Sequence, residues 1–116
     1  MGIIKDRFRA KADSVAAEIK DLLKEHGNKV IGEVTLSQIY QGMRGITGLV
    51  TETSLLDAQE GIRFRGHSIP ELQAKLPKAP GGSEPLPEGL FYLMLIGELP
   101  TDEDAEHVTN ILQRRS

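Results

Sequence analysis

Apolar residues recur at steps of three and four through the first part of the chain: Phe8, Ala12, Val15, Ala16, Ile19, Leu22 and Leu23. That period lines them along one face of an amphipathic helix over roughly residues 6–26, with Gly27 as its natural stop. Thr35 followed three residues later by Gln38 reads as a capping box that opens a short helix ending near Gly42. From Leu49 to Ile69 the helical period gives way to strand character. Thr51, Thr53 and the alternation Ile62, Arg63, Phe64, Arg65 predict a small antiparallel hairpin or meander near 49–69, turning at Asp57–Gly61. In that register Arg63 and Arg65 share the strand face opposite Ile62 and Phe64.

Ser68 and Glu71 have the spacing of a second capping box, and Pro70 is tolerated in a first turn, so a short helix is expected to run to about Leu76 before Pro77 ends it. The stretch from Pro77 to Pro87 holds four prolines and two adjacent glycines, which makes a loop within one fold. Leu90 to Ile96 is apolar on every side and bounded by Gly89 and Gly97, which predicts a helix buried all round. Thr101 then caps a last helix. Its acidic first turn (Asp102, Glu103, Asp104) and basic last turn (Arg114, Arg115) both complement the helix dipole.

The expectation is a mainly α fold of about five helices with one small β element. An all-apolar helix and a long apolar stripe ask for more packing partners than five short elements supply. The sequence also stops directly after a helix, so residues 1–116 are expected to be a single incomplete domain, a portion of a larger fold.

Composition narrows the classes. The chain has 116 residues, 39% of them hydrophobic and 27% charged, within the range of one ordinary globular domain. A net charge of −3 and a pI near 5.6 give no electrostatic case for nucleic acid or an anionic membrane, so small molecules or proteins are the expected partners. With no cysteine there is no disulfide, thiolate metal site or cysteine nucleophile, which fits a reducing compartment. The run Leu90–Ile96 falls far short of the about 20 apolar residues that a membrane-spanning helix needs. Charged, helix-forming sequence follows Met1 within a few residues, so no targeting peptide is read. The cytoplasm is expected, or the mitochondrial matrix if a presequence was removed.

Candidate chemistry is sparse. Gly42, Gly45 and Gly48 punctuate GMRGITG, a spacing that permits tight turning and could present Arg44 to an anion. The motif fits neither the phosphate-binding loop nor the dinucleotide fingerprint, so anion site and plain turn both stay open. Arg63 and Arg65 read as solvated strand charges or structural ion pairs. His26, His67 and His107 are far apart and lack metal-ligand spacing. His26 fits a helix C-terminus, and the other two are expected at the surface. The acidic residues from Asp102 have a structural reason at a helix start and are assigned no catalysis.

Residues 42–101 nonetheless resemble the N-terminal region of citrate synthases of the mitochondrial type. The segments LLDAQEGIRFRG and EPLPEGLFYLMLIGELPT carry the likeness, and the helix ending in KEHGN before them and the Thr-capped acidic helix after them extend it over nearly the whole chain. The resemblance implies the N-terminal part of the large domain of a mainly helical, homodimeric, much longer enzyme. That enzyme condenses acetyl-CoA with oxaloacetate and water to give citrate and CoA in the tricarboxylic acid cycle, with acetyl-CoA as substrate and no tightly bound cofactor. In such enzymes an aspartate and two histidines do the acid–base and oxyanion work. All three, like the arginines that hold the dicarboxylate, belong to parts of the family chain outside residues 1–116, so no catalytic residue is assigned here and the chain alone is expected to be inactive.

One position carries over: the arginine of the GMRG motif, Arg44, is implied to reach a phosphate of CoA. The motif GIRFRG, with Arg63 and Arg65, is implied to be structural. Two departures stand out: Gln41 where relatives usually carry a further glycine, and Thr51 where they usually carry an aromatic residue. Alternatives are a 2-methylcitrate synthase, which uses the same fold with propionyl-CoA, and a non-catalytic helical interaction module.

Overall fold

The computed structural model describes residues 2–115. The chain is mainly α: helices α1 (Gly2–His26), α2 (Leu36–Tyr40), α3 (Ile69–Lys75), α4 (Pro87–Ile96) and α5 (Asp102–Arg115) accompany strands β1 (Ser54–Asp57), β2 (Gly61–Phe64) and β3 (His67–Ser68). The strands form one antiparallel sheet in the order β1-β2-β3, with Leu55 opposite Arg63 and Phe64 opposite His67. By proximity the described residues fall into two compact units. One joins the residues up to Lys11 with those from Thr51 onward; the other is Ala12–Val50.

The first unit holds the core. Leu72, Leu76 and Leu93 pack together with Phe64, Leu90 and Leu99, while Tyr92, Ile96 and Val108 pack with Ile4 and Leu95. Helix α4 serves both clusters, and Leu93 at its middle is fully buried. The helix is not buried all round, because Phe91 is half-exposed. It also begins earlier than its apolar run: Pro87 opens it with a fixed φ, and Gly89 lies inside it. A Cβ on Gly89 would meet Pro77 Cδ at 3.4 Å and Leu76 Cδ2 at 3.6 Å, so the glycine there serves close packing and not termination.

Local chemistry sets the ends of these elements. Asp57 Oδ1 accepts from the N–H groups of Gln59 and Glu60, both at 2.8 Å, and closes the β1–β2 turn. Those bonds, that of Glu60 first, hold the Asp57 carboxyl below its ordinary range. Strand character is confined to residues from Ser54 on, so the expectation that Thr51 and Thr53 lie in a strand fails. Only the carbonyl of Thr53 extends the pairing, accepting from Arg65 N at 2.9 Å. At α5, Thr101 Oγ1 accepts from Asp104 N at 3.1 Å and Asp104 Oδ2 accepts from Thr101 N at 3.0 Å, a reciprocal cap.

Arg65 also departs from its expected place. The ladder ends at Phe64, and Arg65 takes a left-handed φ of 50°. It therefore leaves the face predicted for it alongside Arg63. Its Nε and Nη2 donate to Met94 O at 3.2 and 2.9 Å, supplying a charged partner to a carbonyl in the last turn of α4. Gly97, at φ 87°, ends that helix and donates its N–H to Leu93 O at 2.8 Å.

The second unit contains most of α1 and all of α2. Gly27 stops α1 because a Cβ there would sit 2.3 Å from Leu23 O. None of the residues described for this unit is buried. The apolar stripe expected to face a core is open: Ile19, Leu22 and Leu23 are 44–63% exposed. The start of α1 belongs to the first unit, where Ile4 packs against the second cluster.

Candidate functional site

The Arg44 loop is built on the α2 capping box. Thr35 Oγ1 accepts from Gln38 N at 3.2 Å, and Gln38 Oε1 accepts from Thr35 N at 2.9 Å. Gln38 then carries the loop, since its carbonyl accepts from Arg44 N at 3.2 Å. Gln41 has φ −90° and ψ 21°, which any residue can adopt, so no glycine is required there. The chain reverses after it through left-handed positions at Gly42, Met43 and Gly45. For Met43, at φ 63°, that conformation costs about 1–2 kcal/mol.

Arg44 is exposed, and among the described residues its guanidinium has no hydrogen-bond or ion-pair partner. It offers a planar fork of five donors with no competing carboxylate in contact, a donor set suited to phosphate or carboxylate oxygens. The residues present could hold such an anion. They supply no nucleophile or general base at the loop, so the chemistry available here is binding.

Arg63 and Arg7 are committed elsewhere. Arg63 donates to Glu60 Oε2 at 3.1 Å and to the carbonyl of Gly66 at 3.0 Å, and lies 3.9 Å from Glu71 Oε1, so of its two expected readings it takes the ion pair over the solvated charge. Arg7 pairs with Asp104, donates to the Tyr92 hydroxyl at 2.7 Å, and sits over the Tyr92 ring. Burial pushes the Asp104 carboxyl up, but the N–H of Thr101 and the Arg7 guanidinium outweigh it and hold the group below its usual range. No sequence signal pointed to this bridge. Its ends lie 97 residues apart, and the acidic start of α5 had a sufficient local reason.

Two histidines are less exposed than expected. His67 lies with its Nδ1 3.4 Å from Glu71 Oε2, a contact that lowers the Glu71 pKa. His107 lines a cleft of about 240 Å3 with Ile3, Arg7, Thr101, Glu103 and Asp104, and its Nε2 is buried without a hydrogen-bond partner. The residue beside it, Val108, faces the core, and the helix period carries part of the ring inward. The described residues contain no cluster of three or more potential metal ligands and no helix long and apolar enough to cross a membrane.

The family model described as "Citrate synthase, C-terminal domain" matches residues 42–116, from the Arg44 loop through α5. The chain is 57% identical over 113 residues to the mitochondrial citrate synthase of Saccharomyces cerevisiae, covering 97% of this chain and 24% of that one. It is 57% identical over 106 residues to the mitochondrial citrate synthase of Aspergillus niger, covering 91% and 22%. The mitochondrial 2-methylcitrate synthase of Yarrowia lipolytica is 63% identical over 99 residues, covering 85% and 21%. The chain belongs to the citrate synthase family. It spans less than a quarter of the length of these relatives.

Proposed function

We propose that the chain is the N-terminal portion of a citrate synthase, whose whole polypeptide condenses acetyl-CoA with oxaloacetate and water to citrate and CoA as a homodimer. The observation that carries this reading is the 57% identity to the yeast enzyme across 97% of the chain. The acid–base groups are supplied by the remaining polypeptide, so residues 1–116 form one incomplete domain that is inactive alone. The relatives are named as mitochondrial, which favours the matrix over the cytoplasm as the site of action.

Within this portion Arg44 binds a phosphate of CoA. An unpaired guanidinium on a loop fixed by the α2 cap supports that role, since binding then breaks no existing ion pair. The test replaces the matching quarter of the yeast enzyme with residues 2–115 and titrates CoA and oxaloacetate into the wild-type chimera and its Arg44→Ala variant. A lost hydrogen bond to a charged group is worth about 1.5–3 kcal/mol, and the exposure of the loop points to the lower end, about tenfold in CoA affinity. Oxaloacetate binding should not change, and the CoA effect should shrink as salt rises. Equal weakening of both ligands with a lower Tm would make Arg44 a structural residue of its turn.

A second reading has its own support. The 63% identity to the Yarrowia protein gives 2-methylcitrate synthase equal standing within the family, with propionyl-CoA as the acyl donor. Comparing kcat/KM for acetyl-CoA and propionyl-CoA in the full-length protein separates the two.

A further inference from the structure

Two cationic side chains from different elements of the first unit converge on one point. Lys11 lies on α1 and Arg65 follows β2, yet a Cβ built on Gly97, at the end of α4, would stand 3.6 Å from Lys11 Cε and 3.6 Å from Arg65 Cζ. The ends of the two side chains are therefore no more than about 7 Å apart. Lys11, Arg65 and Gly97 are all part-buried. Like charges this close repel, and a screening length of about 8 Å at physiological salt does not hide one from the other. Such a pair calls for a counter-charge.

The chain supplies only part of one. Arg65 directs Nε and Nη2 to Met94 O, which uses two of its three nitrogens. Its Nη1, 3.6 Å from the same Cβ position, has no acceptor among the described residues, and neither has the Lys11 ammonium. On α1 the positions three and four away from Lys11 are Arg7, Phe8, Ser14 and Val15, so no carboxylate shares its face. Arg7 is itself a cation, already paired with Asp104. Glu98 follows Gly97 but is exposed and forms no ion pair with either cation.

The shape and charge of the spot select its ligand. Gly97 takes the left-handed φ that ends α4, and its missing side chain leaves a notch between the two cations where a ligand can approach the backbone. A carboxylate would balance one of the two charges. A phosphate monoester carries about −1.5 to −2 at pH 7 and three acceptor oxygens, which matches both cations at once. Arginine offers a planar edge and lysine a compact point charge, and both serve phosphate oxygens well.

We propose that Lys11, Arg65 Nη1 and the Gly97 notch form a binding site for a phosphate group carried as a dianion. The site uses neither Arg44 nor its loop, and it does not rest on the citrate synthase reading.

Titration of inorganic phosphate into the isotopically labelled chain at constant ionic strength, followed by NMR, tests it. The Gly97 amide and the Arg65 guanidinium signals should shift and saturate together. Lys11→Gln should weaken phosphate binding by about tenfold, the loss expected for one charge-assisted hydrogen bond. Lys5→Gln, with the same change in net charge on an exposed part of α1, should leave it unchanged, as should Arg44→Ala. Acetate should bind at least about tenfold more weakly than phosphate, because one negative charge leaves a cation unpaired. Glycerol phosphate in a parallel titration names the source: binding as tight as that of inorganic phosphate identifies a phosphate ester, and markedly weaker binding identifies the free ion, and either supports the site. Gly97 shifts that stay linear in phosphate, an equal response to acetate, or equal effects of Lys11→Gln and Lys5→Gln would each overturn it.

Discussion

The two units of the chain spend similar apolar material in opposite ways. From Thr51 onward a modest set of side chains closes on itself: seven residues fall to 5% exposure or less, and α4 joins both clusters. From Ala12 to Val50 a comparable supply of Val, Ile, Leu and Tyr closes on nothing. The difference lies in neither hydrophobicity nor helix content. In the first unit α3, α4 and α5 are short, separated by tight loops, and reach one another; Leu86 N even returns to Pro77 O at 2.9 Å across the proline-rich stretch. In the second, one long helix and one short one are joined by irregular chain, and no third element exists to lie between them. Apolar pattern predicts which face wants burial, and topology decides whether a partner is within reach.

The contrast should be sharpest at Leu93, which is fully buried between α3 and the sheet side of the core. Leu93→Ala removes a side chain from a packed site and should cost about 2–5 kcal/mol, enough to take most of the cooperative melt from a unit this small. Calorimetry or circular dichroism of the isolated chain reads it. A loss under about 1 kcal/mol would mean that the first unit is as loosely packed as the second, and the comparison would collapse.

A smaller effect is expected where local capping meets a long-range bridge. Thr101→Ala removes the hydroxyl that accepts from Asp104 N and should cost about 1 kcal/mol. Acidification probes the other half of the same cap. The folded Asp104 carboxyl titrates below its ordinary value, so its stabilising share is complete above the unfolded pKa of about 3.9 and is lost as pH falls through the lower folded value. Asp57 and Glu71 are held low as well and follow the same sign. Asp104→Asn should therefore lose stability at pH 7 and show a shallower fall in Tm between about pH 4 and pH 2 than the parent, while the Asp57 and Glu71 contributions persist in both. Parallel acid limbs would show that ionisation of Asp104 adds nothing to stability through either the cap or the Arg7 bridge.

These sites also mark how far the sequence could be read. The capping box of α2, the Thr101 cap of α5, the turn at Asp57 and the stop at Gly27 were legible because donor and acceptor lie within four residues. The GMRG loop was legible as a turn, and its arginine as an exposed donor, for the same reason. Arg65 was read as a strand residue because alternation says nothing about a left-handed φ at the next position. The carbonyl it serves, on Met94, is 29 residues away. Gly89 looked like a boundary, since sequence does not reveal that Pro77 and Pro100 approach its backbone. The stripe on α1 was seen correctly as an apolar face; that it stays uncovered depends on elements the pattern cannot contain.

The smallest expected effect is the most direct test of the second unit. Tyr40 closes α2 with 84% of its surface exposed, and none of its neighbours in the unit is buried. Replacing an aromatic residue usually costs several kcal/mol when its area is buried, because cavity and transfer terms add. At a site already in water neither term arises, and Tyr40→Ser in the isolated chain should change stability by less than about 0.5 kcal/mol. Any change in fraying at the end of the five-residue helix should register in amide exchange at Gln41 and Gly42 without moving the main melt. The comparison gives the number its meaning: Tyr92, of the same residue type but 3% exposed in the first unit, should lose several kcal/mol on the same change to serine. A Tyr40 change that costs several kcal/mol, like that expected at Tyr92, would mean that residues 12–50 find a core of their own in solution, and the division into a closed and an open unit would fail.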